Sequence, residues 1–373
     1  MITKPRGLYV HIPFCVRKCN YCDFASFGCS SIDWRERYID ALCGEILSYK
    51  DKNIAIDSIF FGGGTPSLLT PLEFKKIVCT LAESFSILPD TEFTVEVNPK
   101  TVDKEKLACY VRYGVNRLSI GLQSIHENEQ KILGRIHDFD DFLKTYDLAR
   151  KSGIKNINVD LMYGIPEQTI ESFGETLHRV IELSPEHISL YGLILEEGTP
   201  FYGMKNNLPL PTEDTECDMY YLAANVLSSA DYSHYEISNY AKEGYECRHN
   251  LKYWHCEEYI GVGLSAYSYF CGARFGNSDS IEEYLSGSYA KYDMEDRLDI
   301  DSLAYEHVML ALRLKEGFSL DDYKDRFGRD FLDGRAEIID RFEKTGYLKN
   351  DNGRIALTES GFYVSNSILT ELL

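Results

Sequence analysis

Between Leu8 and Leu193, short apolar runs and amphipathic helical stretches alternate six times. That alternation constrains the fold more than any other feature, because strands joined by helices run parallel through right-handed crossovers. The runs Leu8–Ile12, Ile56–Phe61, Glu92–Val97, Asn116–Gly121, Asn156–Leu161 and His187–Leu193 read as strands. Between them, Asp33–Lys50 reads as a helix, with Tyr38, Leu42 and Ile46 on one face and Asp33 as N-cap. Pro71–Phe85, Asp103–Tyr113, stretches within His126–Ser152, and Glu171–Leu183 read as the other helices. No GxGxxG follows the first strand, so an α/β chain with a partial or closed parallel (β/α) barrel fits better than an open dinucleotide fold.

Beyond Pro209 the rhythm changes. Glu213–Ser229 reads as a helix, and Tyr235–Phe270 is rich in aromatic, glycine and turn residues. From Asp301 onward come short helices, a strand-like Gly346-Tyr-Leu-Lys, an Asn352-Gly turn and Arg354–Leu357, with a last helix near Thr358. Helices followed by a small hairpin suggest a smaller, α-rich, winged-helix-like C-terminal domain. The expected division is therefore 1–235, a connecting segment 236–298, and 299–373.

Directly after the first strand, Cys15, Cys19 and Cys22 fall within eight residues. Three thiols at this spacing suit a [4Fe–4S] cluster one ligand short of its usual four, leaving an iron free for something else. S-adenosylmethionine is the expected occupant of that iron. The remaining eight of the 11 cysteines, Cys29, Cys43, Cys79, Cys109, Cys217, Cys247, Cys256 and Cys271, are scattered and read as small buried hydrophobes. A formal charge of −20 argues against nucleic acid as the main partner. Neither a signal peptide nor a run of membrane-span length is visible, so the expected location is cytoplasmic.

Polar or glycine features fall at the C-terminal ends of six different strands: the cysteine loop, Gly62–Thr65, Glu96, Gln123, Asp160 and Tyr191-Gly192. In a βα barrel these ends share one face, where active sites are built. Three consecutive glycines let a backbone approach a ligand such as an amino-acid head group, or form a tight turn. Glu96 reads as a hydrogen-bond acceptor for a ribose or ammonium, or as a helix cap. Arg135 reads as a further member of this set, or as a surface ion pair. His11 points toward the cysteine loop or the interior, as a ligand or as a packed side chain.

Cys-x3-Cys-x2-Cys followed by Gly-Gly-Gly-Thr-Pro resembles the radical S-adenosylmethionine enzymes. Val-Glu-Val-Asn-Pro, Gly121-Leu-Gln-Ser, Leu133-Gly-Arg135 and Asn158-Val-Asp160-Leu-Met-Tyr-Gly164 place the resemblance in the oxygen-independent coproporphyrinogen III oxidase group, over nearly the whole chain. The resemblance implies a radical-SAM barrel over 1–235, with Cys15, Cys19 and Cys22 on the cluster. It further implies that Tyr9, Gly63 and Glu96 contact the S-adenosylmethionine on the open iron. Tyr21, Gly64, Thr65, Gln123, Arg135 and Asp160 would line a second S-adenosylmethionine position.

Two departures separate this chain from the oxidases themselves. Phe24 stands where they carry a fourth cysteine, and Tyr9 lies nearly at the start, without their N-terminal extension. Both match the heme-chaperone subgroup, as does His249-Asn-Leu-Lys-Tyr253-Trp254. An imidazole beside aromatic rings suits an axial heme ligand. His249 is accordingly the first candidate and Cys247 the second. The alternative is a turn packing a seam between domains, with His249 bonded to a backbone carbonyl. The resemblance thus implies heme binding and delivery to a recipient hemoprotein, respiratory and membrane-bound, with peripheral membrane contact at most and a homodimer allowed. The other reading is an enzyme that oxidatively decarboxylates the propionates of coproporphyrinogen III.

Overall fold

The computed structural model describes residues 4–28, 34–50, 52–290 and 297–373. All six expected strands are present: β1 Arg6–Ile12, β2 Ala55–Gly63, β3 Ser86–Val97, β4 Arg117–Gln123, β5 Asn156–Tyr163 and β6 His187–Gly192. They pair in chain order, each neighbour parallel to the last. Helices α1 Arg35–Leu47, α2 Pro71–Ser84, α3 Lys104–Arg112, α4 Glu127–Ile132, α5 Phe139–Lys151 and α6 Ile170–Leu183 lie in the crossovers.

Several helix starts are written locally. Thr70 and Glu73 form a capping box ahead of α2, and Asp138 with Asp141 does the same for α5. Helix α1 follows Trp34 without a side-chain cap; Asp33, expected there, lies outside the described residues.

Along most of their length the strands alternate. Leu8, Val10, Ile59, Phe61, Val95, Leu118, Ile120, Val159 and Ile188 are buried in the main apolar core. Their neighbours on the opposite face are Tyr9, His11, Ser58, Phe60, Thr94, Glu96, Ser119, Asn158, Asp160 and Ser189, a polar and aromatic lumen. A period of two places these sets on opposite sides of the sheet.

The segment rich in aromatics and turns also builds sheet, which the sequence did not suggest. Strands β7 Ser233–Glu236 and β8 Asn239–Ala241 form a hairpin antiparallel to β6. On the other side, β9 Tyr259–Val262 runs parallel to β1, followed by antiparallel β10 Tyr267–Phe270 and β11 Ala273–Gly276. Strands of three or four residues are too short for alternation to mark them. The order is β11-β10-β9-β1-β2-β3-β4-β5-β6-β8-β7. It has two ends, so among the described residues the barrel is partial rather than closed.

Helices α7 Pro200–Gly203, α8 Glu213–Ser229 and α9 Arg248–Trp254 follow β6. The C-terminal region is helical, with Ile300–Ala311, Leu320–Phe327 and Ala336–Lys344 around a second core that includes Val308, Phe331 and Ile355. Leu348–Asp351 and Arg354–Leu357 pair over Asn352-Gly353, and both turn residues have positive φ. No helix among the described residues is long and apolar enough to cross a membrane.

Candidate functional site

The cysteine loop leaves the C-terminal end of β1 and is anchored at its middle. The Asn20 N–H donates to Leu133 O, its side chain donates to Ile132 O, and its carbonyl accepts from Phe201 N–H. A Cβ on Gly134, at φ +79°, would stand 3.1 Å from the Asn20 side chain, a tight contact. These ties leave Cys15 buried and Cys19 and Cys22 half-buried, none in a disulfide. Among the described residues no three His, Cys, Asp or Glu side chains converge on a single-ion site. A cluster, whose irons sit at separate corners, takes thiols spaced farther apart than one ion does, and three thiols outside any disulfide on one anchored loop fit it. Burial pushes the Cys22 thiol up to about 11, so in the metal-free chain it stays protonated near neutral pH, and a bound cation would favour the thiolate.

The glycine loop follows β2. A Cβ on Gly63 would stand 2.5 Å from His11 Cε1, and Gly63 has φ +110°. Only glycine serves here. The Gly63 N–H donates to Glu96 Oε2 at 3.2 Å, and Gly64 N–H donates to Ile12 O at 2.8 Å. Glu96 therefore holds a loop and caps no helix. Burial, and then Asp160 nearby, push its carboxyl up to about 8.

Thr65, Asn98, Arg135 and Tyr21 form one chain. Asn98 Nδ2 donates to Thr65 Oγ1 at 2.9 Å, and Thr65 Oγ1 lies 3.6 Å from Cys15 Sγ. Arg135 donates to Asn98 Oδ1 and Gly121 O, both at 2.7 Å, and to Tyr21 Oη at 3.2 Å. It is no surface ion pair. Asn98 is the member that motif reading missed; standing two residues beyond Glu96, just past the strand end, was its only signal.

Gln123 is buried at the end of β4 with φ +70°, where the pairing with β5 slips by one residue. A bulge and a left-handed non-glycine residue at a strand end belong to sites that aim a side chain. Asp160 accepts from Asn158 Nδ2 at 2.7 Å and from Ser119 Oγ at 3.3 Å, and burial raises its pKa. Tyr9, in the lumen, has its hydroxyl 3.1 Å from His11 Nδ1, while His11 Nε2 lies 2.7 Å from Ala25 O of the cysteine loop. His11 is thus a packed histidine that supports the loop. The structure brings Tyr9, Tyr21, Gly63, Gly64, Thr65, Glu96, Gln123, Arg135 and Asp160 to the same end of the barrel.

His249 does not join them. It is 1 % exposed, and α9 carries it to the opposite, N-terminal end of the strands. Nδ1 lies 3.0 Å from Ser58 Oγ and Nε2 lies 2.8 Å from Tyr253 Oη. Both ring nitrogens have side-chain partners within the fold, the arrangement of a packed histidine. Its partners are side chains, not the backbone carbonyl of the alternative reading. Burial drives its pKa down to about 3. Cys247, the second candidate, is fully buried with its sulfur 3.6 Å from Glu92 Oε1. At the other end of α9, the Arg313 guanidinium lies over the Trp254 ring at 5.7 Å. Of the other scattered cysteines, only Cys43 is buried; Cys79 is exposed, Cys109, Cys217, Cys256 and Cys271 are intermediate, and Cys29 lies outside the described residues.

Residues 9–180 match the family model described as the Radical SAM superfamily, and residues 298–364 match that of the HemN C-terminal domain. The chain is 34% identical over 378 residues to the heme chaperone HemW of Lactococcus lactis, spanning 100% of this chain and 98% of that protein. To the heme chaperone HemW of Escherichia coli it is 39% identical over 380 residues, spanning 98% and 97%. The solved structure of coproporphyrinogen III oxidase (HemN) from Escherichia coli, described as a radical SAM enzyme, superposes with a TM-score of 0.86 at 24% identity. That alignment covers 99% of this chain and 90% of the other, and speaks for the fold alone. Full-length identity to these relatives, together with the anchored cysteine loop at the mouth of a parallel partial barrel, makes the chain a member of the radical SAM superfamily and, within it, of the HemW family.

Proposed function

We propose that this chain is a heme chaperone, which binds heme and hands it to a recipient hemoprotein, with membrane-bound respiratory hemoproteins as the destination. The observation that carries this reading is the full-length identity to relatives bearing that name. Phe24 supports it: the ring is 61 % exposed where the resembling oxidases have a cysteine.

In this reading Cys15, Cys19 and Cys22 hold a [4Fe–4S] cluster, and S-adenosylmethionine lies against Tyr9, Gly63 and Glu96. When bound, the cluster would supply an electron to the sulfonium group and an open iron for the amino-acid head group. The chain's residues do the rest. Gly63 and Gly64 bring backbone close to an amino-acid head group, and Glu96, once ionised, accepts from its ammonium. Arg135 holds Tyr21, Asn98 and the end of β4 in one arrangement. With Gly64, Thr65, Gln123 and Asp160 it lines room for a second S-adenosylmethionine. The apolar layer beneath the helices keeps bulk water from the lumen.

The test is an anaerobic assay of cluster-reconstituted protein, with a heme titration beside incubation with coproporphyrinogen III. Stoichiometric heme uptake without protoporphyrinogen is expected. Turnover to protoporphyrinogen without heme binding would overturn the reading in favour of the oxidase.

A further inference from the structure

The motif His249-Asn-Leu-Lys-Tyr253-Trp254 turns both ring nitrogens of His249 onto side chains of the fold, and it is tied into the barrel by several further bonds. Helix α9 sits across the N-terminal ends of the first strands. Glu92 on β3 accepts from the backbone N–H groups of Arg248 and His249, at 3.1 and 3.0 Å. Lys252 is paired with Asp57 on β2 at 2.9 Å. A Cβ on Gly7 of β1 would stand 3.0 Å from the Lys252 side chain and 3.3 Å from His249 Cε1, so a bare backbone lets the helix approach.

Two lines of contact run from this helix up the lumen. The first is aromatic. The His249 ring stacks on Phe60 at 5.3 Å, Phe60 stacks on Tyr9 at 6.3 Å, and the Tyr9 hydroxyl meets His11. His11 in turn bonds the cysteine loop at Ala25 O. Tyr9 and Phe60 are direct cross-strand partners, which keeps the stack in register. The second line is electrostatic. Arg117, 2 % exposed at the base of β4, lies in the fields of Glu92 below and Asp160 above, and its Nε has no partner.

We propose that α9 is a latch on the barrel floor, and that His249 is a positioning residue which, through Phe60, sets Tyr9 and His11 beside the cysteine loop. Tyr253 fixes the imidazole by holding Nε2, and Ser58 by holding Nδ1. The motif then serves the cofactor end of the barrel at a distance and makes no bond to heme. This rests on the mouth binding S-adenosylmethionine as proposed above.

The experiment uses full-length, cluster-reconstituted protein as wild type and as Phe60→Leu, Tyr253→Phe and His249→Gln. Three readouts are taken on each: S-adenosylmethionine affinity by equilibrium dialysis, the electron paramagnetic resonance spectrum of the reduced cluster with and without S-adenosylmethionine, and the Soret band on heme titration. Phe60→Leu carries no ligand chemistry, and Tyr253→Phe removes one oxygen, so both guard against simple failure to fold. All three are expected to weaken S-adenosylmethionine binding roughly tenfold. They should also alter its effect on the cluster spectrum while keeping wild-type heme stoichiometry and Soret position. Loss of heme binding in His249→Gln, or wild-type S-adenosylmethionine affinity in Phe60→Leu, would overturn the latch. Failure of the wild type itself to bind S-adenosylmethionine would instead overturn the reading of the mouth, and the latch with it.

Discussion

The backbone N–H of Gly63 donates to Oε2 of Glu96 across 3.2 Å, joining the glycine loop after β2 to the end of β3. The bond ties together two features 33 residues apart that each look ordinary alone. It also leaves the second oxygen of Glu96 available to a ligand.

Glu96 makes cofactor binding depend on pH. Its carboxyl holds a proton up to about pH 8 in the free chain, whereas an ammonium partner requires the carboxylate. Binding therefore releases a proton, and S-adenosylmethionine affinity should rise from pH 6 to 8, by up to about tenfold per pH unit. Glu96→Gln should bind weakly with a flat profile. Equilibrium dialysis across this range decides it; a flat wild-type profile would remove Glu96 from the site.

His249 governs acid sensitivity. Its pKa falls from 6.5 to about 3 on folding, so below pH 6.5 the unfolded chain takes up a proton that the folded chain refuses. The stability it contributes is complete above pH 6.5 and is lost as pH falls toward 3. His137, driven down to about 3 by burial and by Arg135, acts in the same sense. Urea midpoints between pH 7 and 4 should fall less steeply in His249→Gln than in wild type. Equal slopes would mean that His249 is protonated in the fold.

Arg135 should not be replaceable by lysine. Its guanidinium donates to Asn98, Gly121 and Tyr21 in three directions, which an ammonium on a flexible stem cannot reproduce. Arg135→Lys is expected to lose about 1–3 kcal/mol of stability through the acceptors left buried. Thermal unfolding reads the effect. An unchanged Tm would show that water replaces the lost donors.

Gly63 and Gly114 form a matched pair of glycines, with φ +110° and +91°. A Cβ on Gly114 meets nothing within 4 Å, while one on Gly63 collides with the His11 ring. Gly114→Ala should lose only the backbone term, on the order of 1–3 kcal/mol. Gly63→Ala should lose clearly more and also load less iron, because His11 supports the cysteine loop. Comparable Tm values and iron contents in the two variants would contradict the contact.

Much of the barrel was legible because its signals are local. Alternation along Glu92–Val97 in the barrel, and the Asn352-Gly353 turn in the C-terminal region, each depend on residues a few positions apart, and each is found where the chain announces it. Strand-end position likewise brought Glu96, Gln123 and Asp160 to one face. The inward row of Ser58, Ser119, Asn158 and Ser189 is the polar half of the same alternation, and small polar residues in mid-strand carry no signal of their own.

By itself the sequence determined the parallel βα order, the three-thiol loop and the glycine loop behind it, since chain spacing alone dictates those arrangements. Only the tertiary structure decided what His249 meets. Its ring nitrogens are satisfied by Ser58, 191 residues away, and by Tyr253. A histidine beside aromatic residues has the same local pattern whether it faces a ligand or a packed lumen. Burial and long-range hydrogen bonding separate the two cases, and neither is a property of neighbouring residues.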